Sequence, residues 1–345
     1  MYEKASKQRE IIISENLPLA ALGYRHMKGK LLFILSGFIL LTGSYSYGQQ
    51  SAQFSQYMFN TLFYNPAYAG VEGVTTFTAF HRTQWAGYQT TNGDIGGGIN
   101  TQVISLNTPI LGLRSGFGVH VVNDRIGPLT NQEAQLSFAY HLGVGDGKLS
   151  LGIRAGAFSQ TNDFDQYRWV NPDDPLRQAG KDTQTRPDFS AGVFYRARQY
   201  YAGISFQHLL DTQFKFGIDT LNNPLEELMV VTGGFDYEPT YKVRLTPSFL
   251  VQSDLNTFSF DISILATYDD TMWGGLSFRQ QEAIVGMLGY SFFKEKSLKV
   301  GYAFDYTVIA QEAKSTASHE IMLRYSLPFA SESNKKIIRT PRFRQ

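Results

Sequence analysis

Residues 148–158 read Lys-Leu-Ser-Leu-Gly-Ile-Arg-Ala-Gly-Ala-Phe, so that Leu149, Leu151, Ile153, Ala155 and Ala157 alternate with Ser150, Gly152, Arg154 and Gly156. Successive side chains of a β-strand point to opposite faces, which gives this stretch one oily face and one face that carries a charge. About ten residues is the length a tilted strand needs to cross a bilayer. The same period-two pattern recurs near 70–82, 97–106, 115–124, 132–143, 148–158, 188–197, 200–208, 228–237, 241–252, 257–268, 271–279, 283–292, 298–306 and 318–327. Turn residues separate these segments. The expected fold is therefore all-β: a transmembrane antiparallel β-barrel of about 14 strands, of outer-membrane type.

The connections test this reading. If the first strand runs outward, the even-to-odd connections should be tight periplasmic turns, and Gly143–Gly147, Ala197–Gln199, Glu238–Thr240, Asp269–Asp270 and Phe293–Ser297 are short. The odd-to-even connections then face outward and include the longest ones: Gln160–Pro187, Leu209–Glu227, Thr83–Gly96 and Thr307–Thr316. Short turns inside and long loops outside are the asymmetry of such barrels. Asn107–Arg114 is longer than a tight turn.

Parity assigns the faces. Phe258, Phe260, Ile262, Ile264 and Ala266 fall on the lipid side, with Val300, Tyr302 and Phe304 and with Ile321, Leu323, Tyr325 and Leu327. Arg154, Arg196, Lys242, Arg244 and Asp261 fall inward, as do Lys299, Asp305, Glu320 and Arg324, which predicts a lumen of mixed charge. A charge at mid-membrane on the lipid face costs roughly 2–4 kcal/mol, so this segregation is required of a barrel. Pro247 sits at lipid parity inside a strand, where it removes a ladder donor and implies a bulge or a strand end. A soluble β-sandwich also alternates, but its strands are shorter and its core face is seldom opposed by paired charges.

The N-terminus supplies an address. Met27, Lys28 and Lys30 lead into the apolar run Leu31–Leu41, and the small residues Ser44, Ser46 and Gly48 suit cleavage before Gln49. Residues 27–48 thus read as a signal peptide, and 1–26 as an extension from a misassigned start. What remains, roughly 300 residues, suits one large barrel. The barrel is expected over 70–328. Residues 49–69 hold aromatics without a period and read as a lumenal plug or a rim segment. Residues 329–345 form a basic tail in the periplasm, with Lys335, Lys336, Arg339, Arg342 and Arg344.

Composition narrows the chemistry. With no cysteine there are no disulfides and no thiolate metal sites, and a net charge of +1 gives no field for nucleic acid. Twenty tyrosines and 26 phenylalanines suit lipid-facing surfaces and interface girdles. The six histidines show no metal-ligand spacing. Ser318, His319 and Glu320 form the only local cluster resembling a hydrolase set, and neighbouring strand residues cannot converge on one face. Asn162, Asp163 and Asp165, and Asn171, Asp173 and Asp174, lack the full calcium-loop spacing and read as turn formers. No cofactor and no enzymatic activity are expected.

Longer strings carry a resemblance. QFSQYMFNTLFYNPAYAG (53–70), FHRTQWAG (80–87), GVHVVNDRIGPLT (118–130), AYHLGVGDGKLSLGIRAG (139–156) and SHEIMLRYSLP (318–328) resemble the PorP/SprF family of type IX secretion outer-membrane proteins of Bacteroidetes. The most specific positions are Asn65, Pro66, Ala67 and Tyr68, and Asn123, Asp124, Gly127 and Pro128. The resemblance implies a role in secretion or in surface attachment of large adhesins in gliding bacteria. It also implies partners: outer-membrane lipid, a secreted cargo with a C-terminal sorting domain, periplasmic ring components and a peptidoglycan-binding lipoprotein. A passive or ligand-specific porin is the alternative.

Overall fold

The computed structural model describes residues 51–88, 98–110, 112–167, 178–216, 222–280, 282–293, 295–308 and 315–327. The extension, the signal segment, the basic tail and the oxygen-rich stretch 171–174 lie outside them.

The strands are β1 (Thr76–Gln84), β2 (Ile99–Ile110), β3 (Ser115–Ile126), β4 (Leu129–Val144), β5 (Gly147–Asp163), β6 (Lys181–Arg196), β7 (Tyr200–Gln207), β8 (Thr212–Lys215) and β9 (Asn222–Leu225). They continue with β10 (Leu228–Phe235), β11 (Tyr237–Thr240), β12 (Val243–Ser253), β13 (Phe258–Tyr268), β14 (Met272–Arg279), β15 (Ala283–Phe292), β16 (Leu298–Thr307) and β17 (Ala317–Ser326). Each barrel strand pairs antiparallel with its neighbour along the wall, β7 pairs with β10 across the excursion of β8 and β9, β10 pairs with β12, and β1 closes on β17. With β11 continuing the course of β10, the result is a closed 14-strand antiparallel β-barrel of outer-membrane type.

Closure of β1 on β17 and of β10 on β12 joins the wall into a continuous cylinder, which is what allows strands to sit in lipid. The expected lipid face is exposed: Ile262 at 49%, Ile264 at 48%, Ile321 at 48% and Leu323 at 49%. Pro247 lies where the β10–β12 ladder ends at Gly234↔Ser248 and the irregular β11–β12 pairing takes over, so its missing donor coincides with a break in the ladder.

Several expected boundaries move. The barrel wall begins at Thr76, not at residue 70, because Gly70 and Gly73 turn the chain with φ of 73° and 75° before β1. The connection Gln160–Pro187 is shortened at both ends, since β5 and β6 stay paired out to Asp163↔Lys181. The connection Leu209–Glu227 folds back as the hairpin β8–β9. Its Phe214 and Phe216 bury against Phe158, and the Asn223 side chain donates to Gln160 Oε1 at 3.0 Å. Asn107–Arg114 shrinks to a turn, because β2 and β3 pair as far as Ile110↔Ser115.

We call the end where the chain enters β1 and leaves β17 the proximal rim, and the opposite end the distal rim.

Candidate functional site: the lumenal segment and its anchors

The largest buried cluster lies inside the cylinder. It joins Phe54, Tyr57, Phe63 and Tyr64 to inward side chains of ten strands, among them Phe80, Val103, Val122, Leu250, Val285 and Met322. Burying each such ring contributes about 1.5–3 kcal/mol. The buried tyrosine hydroxyls also have partners: Tyr57 with Ser248 Oγ at 3.0 Å, and Tyr64 accepting from the Phe54 amide at 3.2 Å.

The distal anchor is ionic. Arg82 is the third residue from the distal end of β1, and Arg279 ends β14 on the same rim. Arg82 Nη2 meets Asp305 at 2.7 Å and its Nη1 meets Glu320 at 3.4 Å, while Arg279 meets Asp261 at 2.8 Å and Asp305 at 3.4 Å. The lumenal segment enters this cluster as a partner. Ser55 Oγ donates to Asp305 at 2.7 Å and accepts from Arg82 at 2.6 Å. The Ser55 and Gln56 amides donate to Glu320 at 2.7 and 2.9 Å, and Arg279 donates to the Phe54 carbonyl at 3.2 Å. All five charged side chains are nearly excluded from water. Removing one member would strand the others in a medium that charges them heavily for it.

Midway, one turn of α-helix (Thr61–Tyr64) leaves carbonyls that no helical amide can reach. The wall satisfies them. Arg154 donates to the carbonyls of Leu62 and Phe63, Gln207 to that of Tyr64 at 2.7 Å, and Ser205 to the same oxygen at 2.6 Å. A cation at a helix C-terminus is the favourable sign.

The proximal anchor is built on shape. Asn65 caps the turn Pro66–Tyr68 by accepting from the Ala67 amide at 2.9 Å, and Pro at the first position needs no partner there. The Asn65 amide nitrogen donates to the carbonyls of Val193 at 3.0 Å and Ile204 at 3.1 Å. Glycines in the wall let the backbone seat closely: a Cβ on Gly152 would strike the backbone of Ala67, and one on Gly116 the carbonyl of Ala69. Tyr68 donates to Glu72 at 2.6 Å, and Glu72 pairs with Arg324, the third residue from the proximal end of β17.

The segment therefore runs the length of the barrel, from the distal cluster at Phe54–Gln56 to the proximal contacts at Tyr68–Glu72. An even number of strands leads one to expect both termini in the periplasm, at the same rim; instead the first described residues lie toward the distal rim, opposite the end of β17.

Of the nine expected lumenal charges, the distal cluster unites Asp261, Asp305 and Glu320, while Arg154 holds the helix end and Arg324 holds Glu72. Lys299 is half-buried near the proximal rim. Arg196, Lys242 and Arg244 are rim residues, a correction to their lumenal assignment. Arg196 pairs with Asp236 at 2.9 Å, Arg244 with Asp270 at 3.0 Å, and Lys242 lies in the turn between β11 and β12, over the ring of Tyr241. Parity reports a face and not a depth, so residues at strand ends share it without entering the lumen.

Arg82, Arg279, Ser55 and Glu72 escaped the sequence reading. Arg82 and Arg279 stand at inward parity and were open to it. In the second motif, Asp124 faces inward and accepts from Thr101 at 2.6 Å, Asn123 faces outward, and Gly127 (φ 59°) with Pro128 forms the two-residue turn joining β3 to β4. His319 faces outward on Tyr302, at 2.7 Å, while Ser318 and Glu320 face inward. Among the described residues no three His, Asp or Glu side chains gather to hold a metal ion.

No curated protein sequence matches the chain. Among solved structures, Omp33 of Acinetobacter baumannii aligns with 74% of this chain and 98% of its own, at 6% identity and a TM-score of 0.43. The TodX deltaS2S3 mutant monoaromatic hydrocarbon channel aligns with 78% of this chain and 94% of its own, at 10% and 0.44. KdgM porin aligns with 73% and 99%, at 9% and 0.36. The profile of the type IX secretion system membrane protein PorP/SprF matches residues 46–325, and on that match the chain belongs to the PorP/SprF family.

Proposed function

We propose that this chain is a non-catalytic outer-membrane component of type IX secretion, with its distal rim outside the cell, supporting secretion or surface anchoring of a large cargo protein. The filled lumen carries the reading. A segment fixed along the whole bore leaves the distal surfaces to do the work: the strand extensions of β5 and β6 and the hairpin β8–β9. The partners are then a cargo with a type IX sorting domain outside and ring components with a peptidoglycan-binding lipoprotein inside. In a gliding bacterium the cargo would be an adhesin.

Deleting the gene should shed cargo into the medium or block its export. Unchanged cargo on the cell surface overturns the proposal. The porin alternative requires a conducting bore. In planar bilayers the full chain should stay closed, and steady conductance of open-barrel size would favour the porin.

A further inference from the structure

Across β1 to β6 the outer surface changes character in a single step of the register. The row Ala79, Ile104, Val121, Ala134, Ala157 and Pro187 consists of directly paired neighbours and is wholly apolar. The next outward row toward the distal rim, two residues on, is His81, Gln102, Asn123, Gln132, Ser159 and Thr185, and it is wholly polar. Its members are tied sideways: Asn123 donates to Gln102 at 2.8 Å, Gln132 to Asn123 at 3.1 Å, and Thr185 to Ser159 at 3.0 Å.

One row further lie Thr83, Asn100, Arg125, Thr130, Thr161 and Thr183, with Thr83 bonded to Asn100 at 3.1 Å and Thr161 to Thr183 at 2.9 Å. Neither row contains a carboxylate. Arg125 is exposed, and its contacts to the Gly127 carbonyl at 3.4 Å and Gln166 at 3.5 Å leave its outer edge open. The band ends at the β1–β17 seam, where His81 meets Ile321 and the row continues as Tyr302 and Leu288.

We propose that this band binds the phosphorylated sugar headgroup of an outer-leaflet glycolipid. Two observations select that occupant. The band is continuous with the lipid-facing belt, so whatever touches it stands at the headgroup level of the same lipids. Its chemistry also complements a phosphosugar: side-chain amides and hydroxyls tied into rows meet sugar hydroxyls, and rows without acids around an exposed guanidinium meet phosphate. The assignment rests on the proposed outward orientation of the distal rim.

The test uses the full chain purified in detergent. Native mass spectrometry would measure retention of rough lipopolysaccharide against phosphatidylcholine, with heat-dependent gel migration reporting barrel folding. The wild-type chain should retain the glycolipid selectively. Arg125→Gln should weaken it about fivefold, the worth of one cation beside an anionic lipid surface. Thr183→Asp, an exposed change that spares the amide row, should weaken it further by repulsion. Equal retention of both lipids, or selective retention untouched in both folded variants, overturns the proposal. So does a dimer that occupies this face in place of lipid. Because binding in detergent is indifferent to orientation, selective binding together with a Thr161→Cys variant labelled only from the periplasm would leave the band's chemistry standing and refute the orientation.

Discussion

The two ends of the lumenal segment are held by opposite means. At the distal end Ser55 and its neighbours complete a cluster of two arginines and three carboxylates, all nearly dry. At the proximal end Asn65 to Gly70 lie on a wall of glycines, with neutral bonds from Asn65 and, beyond them, one ion pair of Glu72 with Arg324. Charges inside a protein are forgiving of small displacements but intolerant of losing a member. Close packing is the reverse: deleting a neutral bond costs little, while one added methyl group has nowhere to go. The distal end should therefore be sensitive to removal and the proximal end to addition.

The largest effect should come from the distal cluster. Arg82→Met leaves Glu320 without its cation and Asp305 with Arg279 alone, and breaking a buried pair in this way costs about 3–5 kcal/mol. Urea unfolding in lipid vesicles, followed by heat-dependent gel migration, measures it. Adding Asp305→Asn and Glu320→Gln to Arg82→Met should recover much of the loss, because the charges that remain, Arg279 and Asp261, still pair with each other. A single variant as stable as the wild type, or a triple variant no better than the single, would break the contrast.

Next is an addition at the proximal end. Gly152→Val drives a branched side chain into the backbone of Ala67, and overpacking of this kind costs about 1–3 kcal/mol. The barrel has its own ladders and should still close, so the strain falls on the lumenal segment. Chymotrypsin, which cleaves after aromatic residues such as Tyr57, Phe59 and Tyr64, should then cut between Ser51 and Gly73 in the folded variant and not in the wild type. A resistant Gly152→Val chain would show that the seat has slack.

Much of the wall was legible in the sequence and little of what it encloses. A strand that faces lipid must keep every second side chain apolar over its full crossing, and that constraint writes itself as a period at residues such as Ile262 and Ile264. The segment from Ser51 to Gly73 is under no such rule. Its backbone is set by the surface it meets, so its helix and turns are too short to leave a period, and 49–69 could be read as a plug or as a rim piece with equal ease. The receiving surface is silent too, because an inward Gly116 or Gly152 registers only as a missing side chain. Arg82 and Arg279 stood at the proper parity. Only the fold brings them from separate strands to one point around Ser55.

A smaller effect concerns Asn65. Asn65→Ala removes two donations to the wall and the cap on the Pro66–Tyr68 turn, and a lost cap costs about 1 kcal/mol. Chymotrypsin should cut this variant more slowly than Gly152→Val, because a deletion leaves room that the segment can still occupy. Faster cutting of Asn65→Ala would mean that hydrogen bonds, not shape, fix the proximal end.

The smallest effect is pH-dependent and belongs to Glu72, which precedes the first strand. Burial works to raise its carboxyl, and the Arg324 guanidinium beside it, with the bond from Tyr68, overrides this and holds the group below its ordinary value. A carboxylate whose value is depressed by folding stabilises the folded state above the unfolded-chain value of about 4.3, and that contribution fades as pH falls through the lower folded value. Hydrogen exchange at Tyr68–Gly73 should therefore be flat from neutral pH down to about 5 once its intrinsic pH dependence is removed, and protection should fall on further acidification. Glu72→Gln cannot titrate and should lose that acid limb while starting from lower protection at neutral pH. An acid limb of unchanged depth in Glu72→Gln would assign the pH response to the distal carboxylates, and would place an ionic restraint at one end of the segment only.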